Sequence, residues 1–277
     1  MHALAEHLRL RTALRGWLGP GPDFIIAGAQ KCGTTSLYRW LAAHPRVAEA
    51  SKKEVHFFDL NYHKGRRWYQ RHFPSALERL AARRRGNGRL LAGEASPYYL
   101  FHPHALRRIR QAMPEVKLIV LLRNPIDRAY SHYWHNVRHG REPLSFEEAI
   151  EREPERLRSE TEKMRKDERY RSFAHQHYSY LARGVYAEQL LAMWSHFPRA
   201  QALVLKSETF YAEPGRTLRE VLGFLRLLPP REPQRLRVEN AGRYPAMGGS
   251  LRRRLAAHFQ APNQRLHDCL GGEFQWD

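Results

Sequence analysis

The sequence predicts an α/β fold, a mainly parallel sheet flanked by helices on both faces, and three observations predict it. Residues 23–27 (DFIIA) form a short apolar run, followed by a glycine-containing loop to Gly33 and a helical pattern over 34–43 that stops before Pro45. A second unit of the same kind starts with a continuous apolar run at 117–122 (KLIVLL), passes Arg123, Asn124 and Pro125, and enters a helical pattern carrying Ile126, Ala129, Tyr130 and Tyr133. A helix over 186–197, a strand over 202–205 and a helix over 214–225 continue the alternation. Strands that alternate with helices and read as unbroken apolar runs are those of a parallel sheet covered on both sides.

Along the chain, residues 1–20 read as a basic amphipathic helix with Leu4, Leu8, Leu14 and Trp17 near helical spacing, leaving through Gly19, Pro20, Gly21 and Pro22. That segment lacks the long apolar core of a secretory signal and is expected to pack on the domain, with a targeting or membrane-surface role as the alternative. The organisation expected is therefore an N-terminal segment over 1–22 and one domain over 23–277. Between the two strand–loop–helix units lie an Arg-rich helix over 77–85, a turn at Gly86-Asn87-Gly88 and a strand over 89–92. Pro125 suits the first turn of its helix, where no N–H is needed. Residues 151–171 are dense in charge and poor in apolar side chains, so about 145–183 is expected to be an exposed helical insertion or lid. No internal repeat of solenoid length is present.

A chain of 277 residues, 42% hydrophobic and 27% charged, is long enough for one sizeable core and is neither disordered nor collagen-like. No run approaches the roughly 18 apolar residues of a membrane span, and no transmembrane segment is expected. The formal charge is +19, from 47 Lys and Arg against 28 Asp and Glu, which points to an anionic partner. Two cysteines, Cys32 and Cys269, make neither a disulfide scaffold nor a metal-ligand spacing, and the compartment expected is cytoplasmic.

Gly28-Ala29-Gln30-Lys31-Cys32-Gly33-Thr34-Thr35 places a lysine between two glycines just before a helix that opens with two hydroxyls. Backbone N–H groups, the positive end of the helix and an ammonium then face one anion, a P-loop-like phosphate cradle. Ordinary strand–helix junctions share parts of this composition. The nucleoside-triphosphatase signature is not met, because its lysine follows the second glycine and Lys31 comes two positions early. The strand over 117–122 ends in Arg123, where a magnesium-binding carboxylate would be wanted. Arg123 and Ser131, two helical turns apart, instead pair charge with a hydroxyl donor at the carboxyl end of that strand, a second phosphate site. Two anion sites on neighbouring strands suit a nucleotide with phosphates at both ends of its ribose. A P-loop nucleotide kinase and a basic nucleic-acid-binding protein are the alternatives. The second rests on basic charge with interleaved aromatics but lacks a recognised motif, and the aromatics Tyr98, Tyr99, Tyr130, Tyr133 and Trp134 are read as stacking on adenine or a sugar ring or as core packing.

With these residues in place the chain resembles the sulfotransferases that use 3′-phosphoadenosine 5′-phosphosulfate (PAPS), in particular the heparan-sulfate branch and its bacterial relatives. Lys31-Cys32-Gly33-Thr34-Thr35-Ser36-Leu37 is similar to that family's 5′-phosphosulfate loop, and Arg123-Asn124-Pro125 with Arg128 and Ser131 to its 3′-phosphate motif. Lys53-Glu54-Val55-His56-Phe57-Phe58-Asp59 resembles the segment with the catalytic glutamate, and Gly242-Arg243-Tyr244-Pro245 the loop over the nucleotide. Phe259, Pro262, Asn263, Leu266, Gly271, Phe274 and Trp276 follow the terminal pattern, so the likeness runs from about Asp23 to Trp276.

The resemblance implies that Lys31 contacts the oxygen bridging sulfate and phosphate, that the loop from Lys31 to Ser36 (Cys32, Gly33, Thr34 and Thr35 included) holds the 5′-phosphate, and that Arg123, Ser131, Arg243 and Tyr244 bind the other end. It implies Glu54 as general base with His56 beside it, and Asp59, Ser96 and Tyr98 at the acceptor. One departure stands out: many animal members have a lysine before the Ser/Thr-Pro-x-Tyr motif, where this chain has Ala95. The lumenal members' membrane anchor and disulfide are not evident.

A transferring sulfuryl group bears less negative charge than a phosphoryl group, so a lysine and amide donors can neutralise the leaving phosphate and no metal is expected. Glu54 would accept the proton of a hydroxyl or amine acceptor, a glycan or a small compound; an ion pair with Lys52 or Lys53 is its plain structural alternative, and simple packing is that of His56.

Overall fold

The computed structural model describes residues 19–84, 88–230, 244–271 and 274–276. Residues 1–18, Gly86, Asn87, Gly242 and Arg243 lie outside the described residues, and with them most of the expected N-terminal segment and part of the expected nucleotide-covering loop.

The chain opens with β1 (Phe24–Gly28), α1 (Thr34–Ala42) and the short β2 (Val47–Glu49). Two small helices follow, α2 (Gly65–Gln70) and α3 (Ala76–Ala82), the second started by a capping box between Ser75 and Glu78. Then come β3 (Leu91–Ala95), α4 (Ala105–Ala112), β4 (Lys117–Leu122) and α5 (Pro125–Arg138). Pro125 does occupy the first helical turn, and the Asn124 side chain caps it by accepting from the Ile126 amide. The insertion supplies α6 (Phe146–Arg156), α7 (Glu160–Lys166) and α8 (Phe173–His177). The chain ends with α9 (Tyr186–His196), β5 (Ala202–Lys206), α10 (Ser207–Ala212), α11 (Pro214–Leu225) and the long α12 (Gly249–Leu270).

Among the described residues five strands form the sheet, parallel throughout and ordered β2-β3-β1-β4-β5. Every residue of β1 and β3 is buried, and successive side chains of a strand point to opposite faces, so helices cover both sides of the sheet as expected. No helix among the described residues is long and apolar enough to cross a membrane.

One place differs from expectation. The third strand lies at Leu91–Ala95 rather than 89–92, displaced toward a glycine and a glutamate that lower strand propensity. Gly93 faces Phe24 in the register, and a Cβ there would sit 2.2 Å from the Phe24 ring. Glu94 is fully buried, its carboxylate satisfied by Tyr69, Tyr99 and Ser96 hydroxyls. Tertiary packing thus selects a strand that local preference disfavours.

The charged insertion folds as α6 to α8 and is mostly exposed over 151–171, while its first helix packs down at its start. Phe146, Ala149 and Ile150 of α6 pack with Ile126, Ala129 and Tyr133 of α5 and with Leu255 and Phe259 of α12, forming a second small core. Glu153 is buried because its carboxylate accepts the Leu181 and Ala182 amides at 2.7 and 2.8 Å.

Candidate active site

β1 and β4 are neighbours whose chains leave in opposite directions, one toward β2 and the other toward β5. Such a switch point opens a crevice at the strands' carboxyl ends. A cleft of about 1090 Å³ lies there, walled by the loop after β1, segments following β2 and β3, the exposed side of α5, the end of α8, the start of α10, and Tyr244.

The loop after β1 reaches α1 through two residues in the left-handed region, Lys31 (φ 70°) and Gly33 (φ 91°). Gly33 tolerates this freely, whereas Lys31 is strained, and such strain persists where surrounding contacts fix a functional side chain. Lys31, Gly33, Thr34 and Thr35 line the cleft at the helix N-terminus, whose first N–H groups have no partner within the helix. Burial, then repulsion from Arg138 and Arg123, pushes the Lys31 ammonium down to about 8. Cys32 and Ser36 point elsewhere. The Cys32 thiol is buried near Tyr186 Oη, 3.8 Å away, and burial pushes it up to about 11, while Ser36 Oγ lies 3.3 Å from Tyr211 Oη.

Across the cleft a charged chain of groups begins at the cradle itself. Lys53 Nζ donates to Thr35 Oγ1 at 2.7 Å and stands 2.6 Å from Glu54 Oε1. Glu54 Oε2 meets His56 Nε2 at 3.1 Å, and His56 Nδ1 meets Asp59 Oδ2 at 2.7 Å. Burial alone would raise the Glu54 carboxyl, but His56 and Lys53 outweigh it and hold it at about 2. Burial would likewise lower His56, but Asp59 and Glu54 raise it to about 10. At neutral pH Glu54 is therefore a carboxylate and His56 an imidazolium.

His56 also has a left-handed backbone (φ 52°), held by its amide donating to Ser96 Oγ at 3.1 Å and its carbonyl accepting from the Asn61 amide and side chain. Ser96 in turn donates to Glu94, which accepts the Val55 amide as well. Burial pushes the Glu94 carboxyl up to about 7. Asp59 and Ser96, expected beside the acceptor, thus sit behind the wall and brace His56; Tyr98 does line the cleft.

Arg123 and Ser131 both reach the cleft, and Arg123 Nη1 also donates to the Lys31 carbonyl at 3.4 Å, joining the two junctions. The Tyr244 ring lies 5.4 Å from Tyr130 and stacks on Trp134 at 6.2 Å. Arg128, part of the same sequence motif, is fully buried and donates to the Tyr180 carbonyl instead.

The sequence reading passed over a basic lobe formed by His135, Arg138, His139, Arg141 and His177. Ser131, His135, Arg138 and His139 share one face of α5, a spacing that was open to view. Burial, then Lys31 and the neighbouring cations, pushes His135 down to about 4, and burial with Arg141 and Arg183 does the same to His177. Three carboxylates line the cleft among the described residues. Arg252 holds Asp127 at 2.7 Å, Glu208 accepts the Asn124 amide at 2.8 Å, and Glu54 belongs to the array beside the cradle. Cations held this close together, with depressed lysine and histidine basicity, fit a multiply charged anion. Among the described residues no three His, Cys, Asp or Glu side chains stand together as a metal-binding group.

Comparison with known proteins agrees with this geometry. Residues 21–240 match the family model described as the sulfotransferase domain. The chain is similar to heparan sulfate glucosamine 3-O-sulfotransferase 3A1 of Mus musculus, 28% identical over 92% of this chain and 64% of that protein. It is also similar to bifunctional heparan sulfate N-deacetylase/N-sulfotransferase 3 of Homo sapiens, 32% identical over 75% of this chain and 22% of that protein. Among solved structures, a sulfotransferase from Alicyclobacillus acidocaldarius is 33% identical, with a TM-score of 0.68 over 90% of this chain and 95% of its own. The chain spans under two thirds of the mouse enzyme and about a fifth of the human one. With the family model matching across the sheet and the cleft residues from Lys31 to Glu208, this protein belongs to the sulfotransferase family.

Proposed function

We propose that the cleft takes PAPS and transfers its sulfuryl group to a hydroxyl or amine of a carbohydrate. The observation that carries this reading is the bridge of Lys53 between the anion cradle, through Thr35, and the Glu54 carboxylate. It would set a carboxylate able to take the acceptor's proton within reach of the transferred group while the cradle neutralises the leaving phosphate, as in-line transfer of a sulfuryl group to an acceptor oxygen opposite that phosphate calls for.

The α1 N-terminus with Thr34, Thr35 and the amides of the loop through Ser36 would hold the 5′-phosphate. Lys31 would neutralise charge that grows on the bridging oxygen as the S–O bond breaks, so that a metal is not required there. Arg123 and Ser131, with Tyr244 and Arg243, would hold the 3′-phosphate. When bound, PAPS supplies a sulfur centre with a phosphate leaving group.

Glu54 would take the acceptor proton. Its low basicity suits a late transfer, because the acceptor oxygen becomes strongly acidic once its bond to sulfur forms, and the carboxylate stays ionised at all working pH values. His56, braced by Asp59 and Ser96, orients Glu54. The basic lobe of Arg138, Arg141 and His177 favours an acceptor bearing carboxylate or sulfate groups, and the names of the relatives above support a glycan.

Thermal unfolding with 3′-phosphoadenosine 5′-phosphate tests the donor assignment. At about 100 times its dissociation constant the nucleotide adds roughly 2.7 kcal/mol, and a domain of this size gains about 2–4 °C per kcal/mol. A rise independent of magnesium is expected; stabilisation by ATP with magnesium in its place would overturn the reading.

A further inference from the structure

Arg183 is 1% exposed, forms no ion pair with a carboxylate among the described residues, and was not singled out by any sequence motif. Its guanidinium donates through Nη1 to the Gln30 side-chain oxygen and through Nη2 to the His175 and Gln176 carbonyls, both at 3.0 Å. It lies 5.0 Å from the Tyr98 ring centroid and 4.9 Å from that of Phe101. Those partners belong to three separate walls of the cleft: Gln30 precedes Lys31 in the anion cradle, Tyr98 follows β3, and His175 and Gln176 end α8.

The base of this arginine is itself fixed. Glu153 holds the Leu181 and Ala182 amides, and Gln189 Nε2 donates to the Arg183 carbonyl at 3.0 Å. Tyr98 Oη and His175 Nδ1 close the ring of contacts at 2.7 Å. Among the described residues all three hydrogen-bond acceptors of the guanidinium are neutral oxygens, so its charge is buried without an ion pair, an expensive arrangement. A planar fork, however, holds donors on separate nitrogens in fixed directions, whereas an ammonium gathers its three donors on one atom and an apolar side chain has none.

We propose that Arg183 is a positioning residue of the transfer reaction: through Gln30 it fixes the strained Lys31 turn, and through α8 it locks the acceptor-side wall to the donor cradle. The proposal rests on the donor reading above. An arginine of the insertion thereby completes a loop some 150 residues earlier in the chain, and the contact is legible only in three dimensions.

The test is a double-mutant cycle on Arg183→Lys and Gln30→Ala, read by calorimetric affinity for 3′-phosphoadenosine 5′-phosphate, by kcat and by melting temperature. Misplacement of a reacting group by about 1 Å costs on the order of 100-fold in rate. Expected are a loss of that order in kcat for each variant, weaker bisphosphate binding, and a double variant no worse than the poorer single one, because both changes break one connection. Gln30→Ala leaves the carbonyl contacts of Arg183 in place, so it decides the matter even if Arg183→Lys fails to fold. Wild-type affinity and kcat in Gln30→Ala, or losses that multiply in the double variant, would overturn the proposal while leaving the donor site standing. Absence of bisphosphate binding by the wild-type protein would overturn both.

Discussion

Glu54→Gln separates chemistry from donor binding. Glutamine preserves size and keeps one acceptor oxygen for either Lys53 or His56, which lie 2.6 and 3.1 Å from the carboxylate oxygens, but it turns a donor toward the other and cannot take a proton. Loss of a positioned base costs roughly 10²–10⁴-fold in turnover. The residues assigned to the two phosphates, Lys31, Arg123 and Ser131, do not touch Glu54, so bisphosphate affinity is expected to stay within about 0.5 kcal/mol of wild type. The variant also tests the electrostatics. Glu54, depressed to about 2, contributes stability that is present above its ordinary 4.5 and lost as pH falls through about 2. His56, raised to about 10, contributes stability that is full below its ordinary 6.5 and lost as pH rises through about 10. Removing Glu54 takes away the first contribution and cuts the second, so wild type should melt above the variant by the widest margin near pH 5–6 and by less toward pH 10. The assays are steady-state transfer of labelled sulfate, titration calorimetry with the bisphosphate, and melting curves across that range. Undiminished turnover in Glu54→Gln would refute the base assignment, and a melting gap that widens toward pH 10 would refute the charge array.

Three further outcomes are expected. Lys31 has its ammonium depressed to about 8 by burial and by Arg138 and Arg123, and a bound phosphate reverses that repulsion; binding should therefore take up a proton above about pH 8, visible as a buffer-dependent binding enthalpy, and affinity should fall at higher pH. Arg123→Ala should weaken 3′-phosphoadenosine 5′-phosphate by about 1.5–3 kcal/mol, the worth of a charge-assisted hydrogen bond, and leave adenosine 5′-phosphate nearly unaffected, as competition binding would show. Gly93→Ala should cost about 1–3 kcal/mol, because its methyl would lie 2.2 Å from the Phe24 ring; with about 2–4 °C per kcal/mol, a melting scan resolves it, and wild-type stability would contradict the packing of β3 on β1.

How the cleft is assembled divides cleanly into what is local in the chain and what is not. The strand Lys117–Leu122, the helices Thr34–Ala42 and Pro214–Leu225, and the cradle around Lys31 follow from apolar runs, helix stops and glycine spacing, each encoded within a dozen residues. Arg123 and Ser131 were visible for the same reason, as an arginine ending an apolar strand and a hydroxyl two turns into the next helix. The third strand was misplaced because Gly93 and Glu94 are poor strand formers, rescued only by the Phe24 ring and the Tyr69, Tyr99 and Ser96 hydroxyls. Within the insertion the burial of Glu153 was not legible, because the carboxylate finds its partners, the 181–182 amides, distant in the chain. By itself, then, the sequence determined the parallel α/β frame, the anion cradle and the family likeness. Only the tertiary structure decided that Asp59 and Ser96 stand behind His56, that Lys53 bridges the cradle to Glu54, and that Arg183 ties three walls together. Those contacts join segments by geometry and complementary charge across long chain separations, and no periodicity or spacing along one segment encodes them.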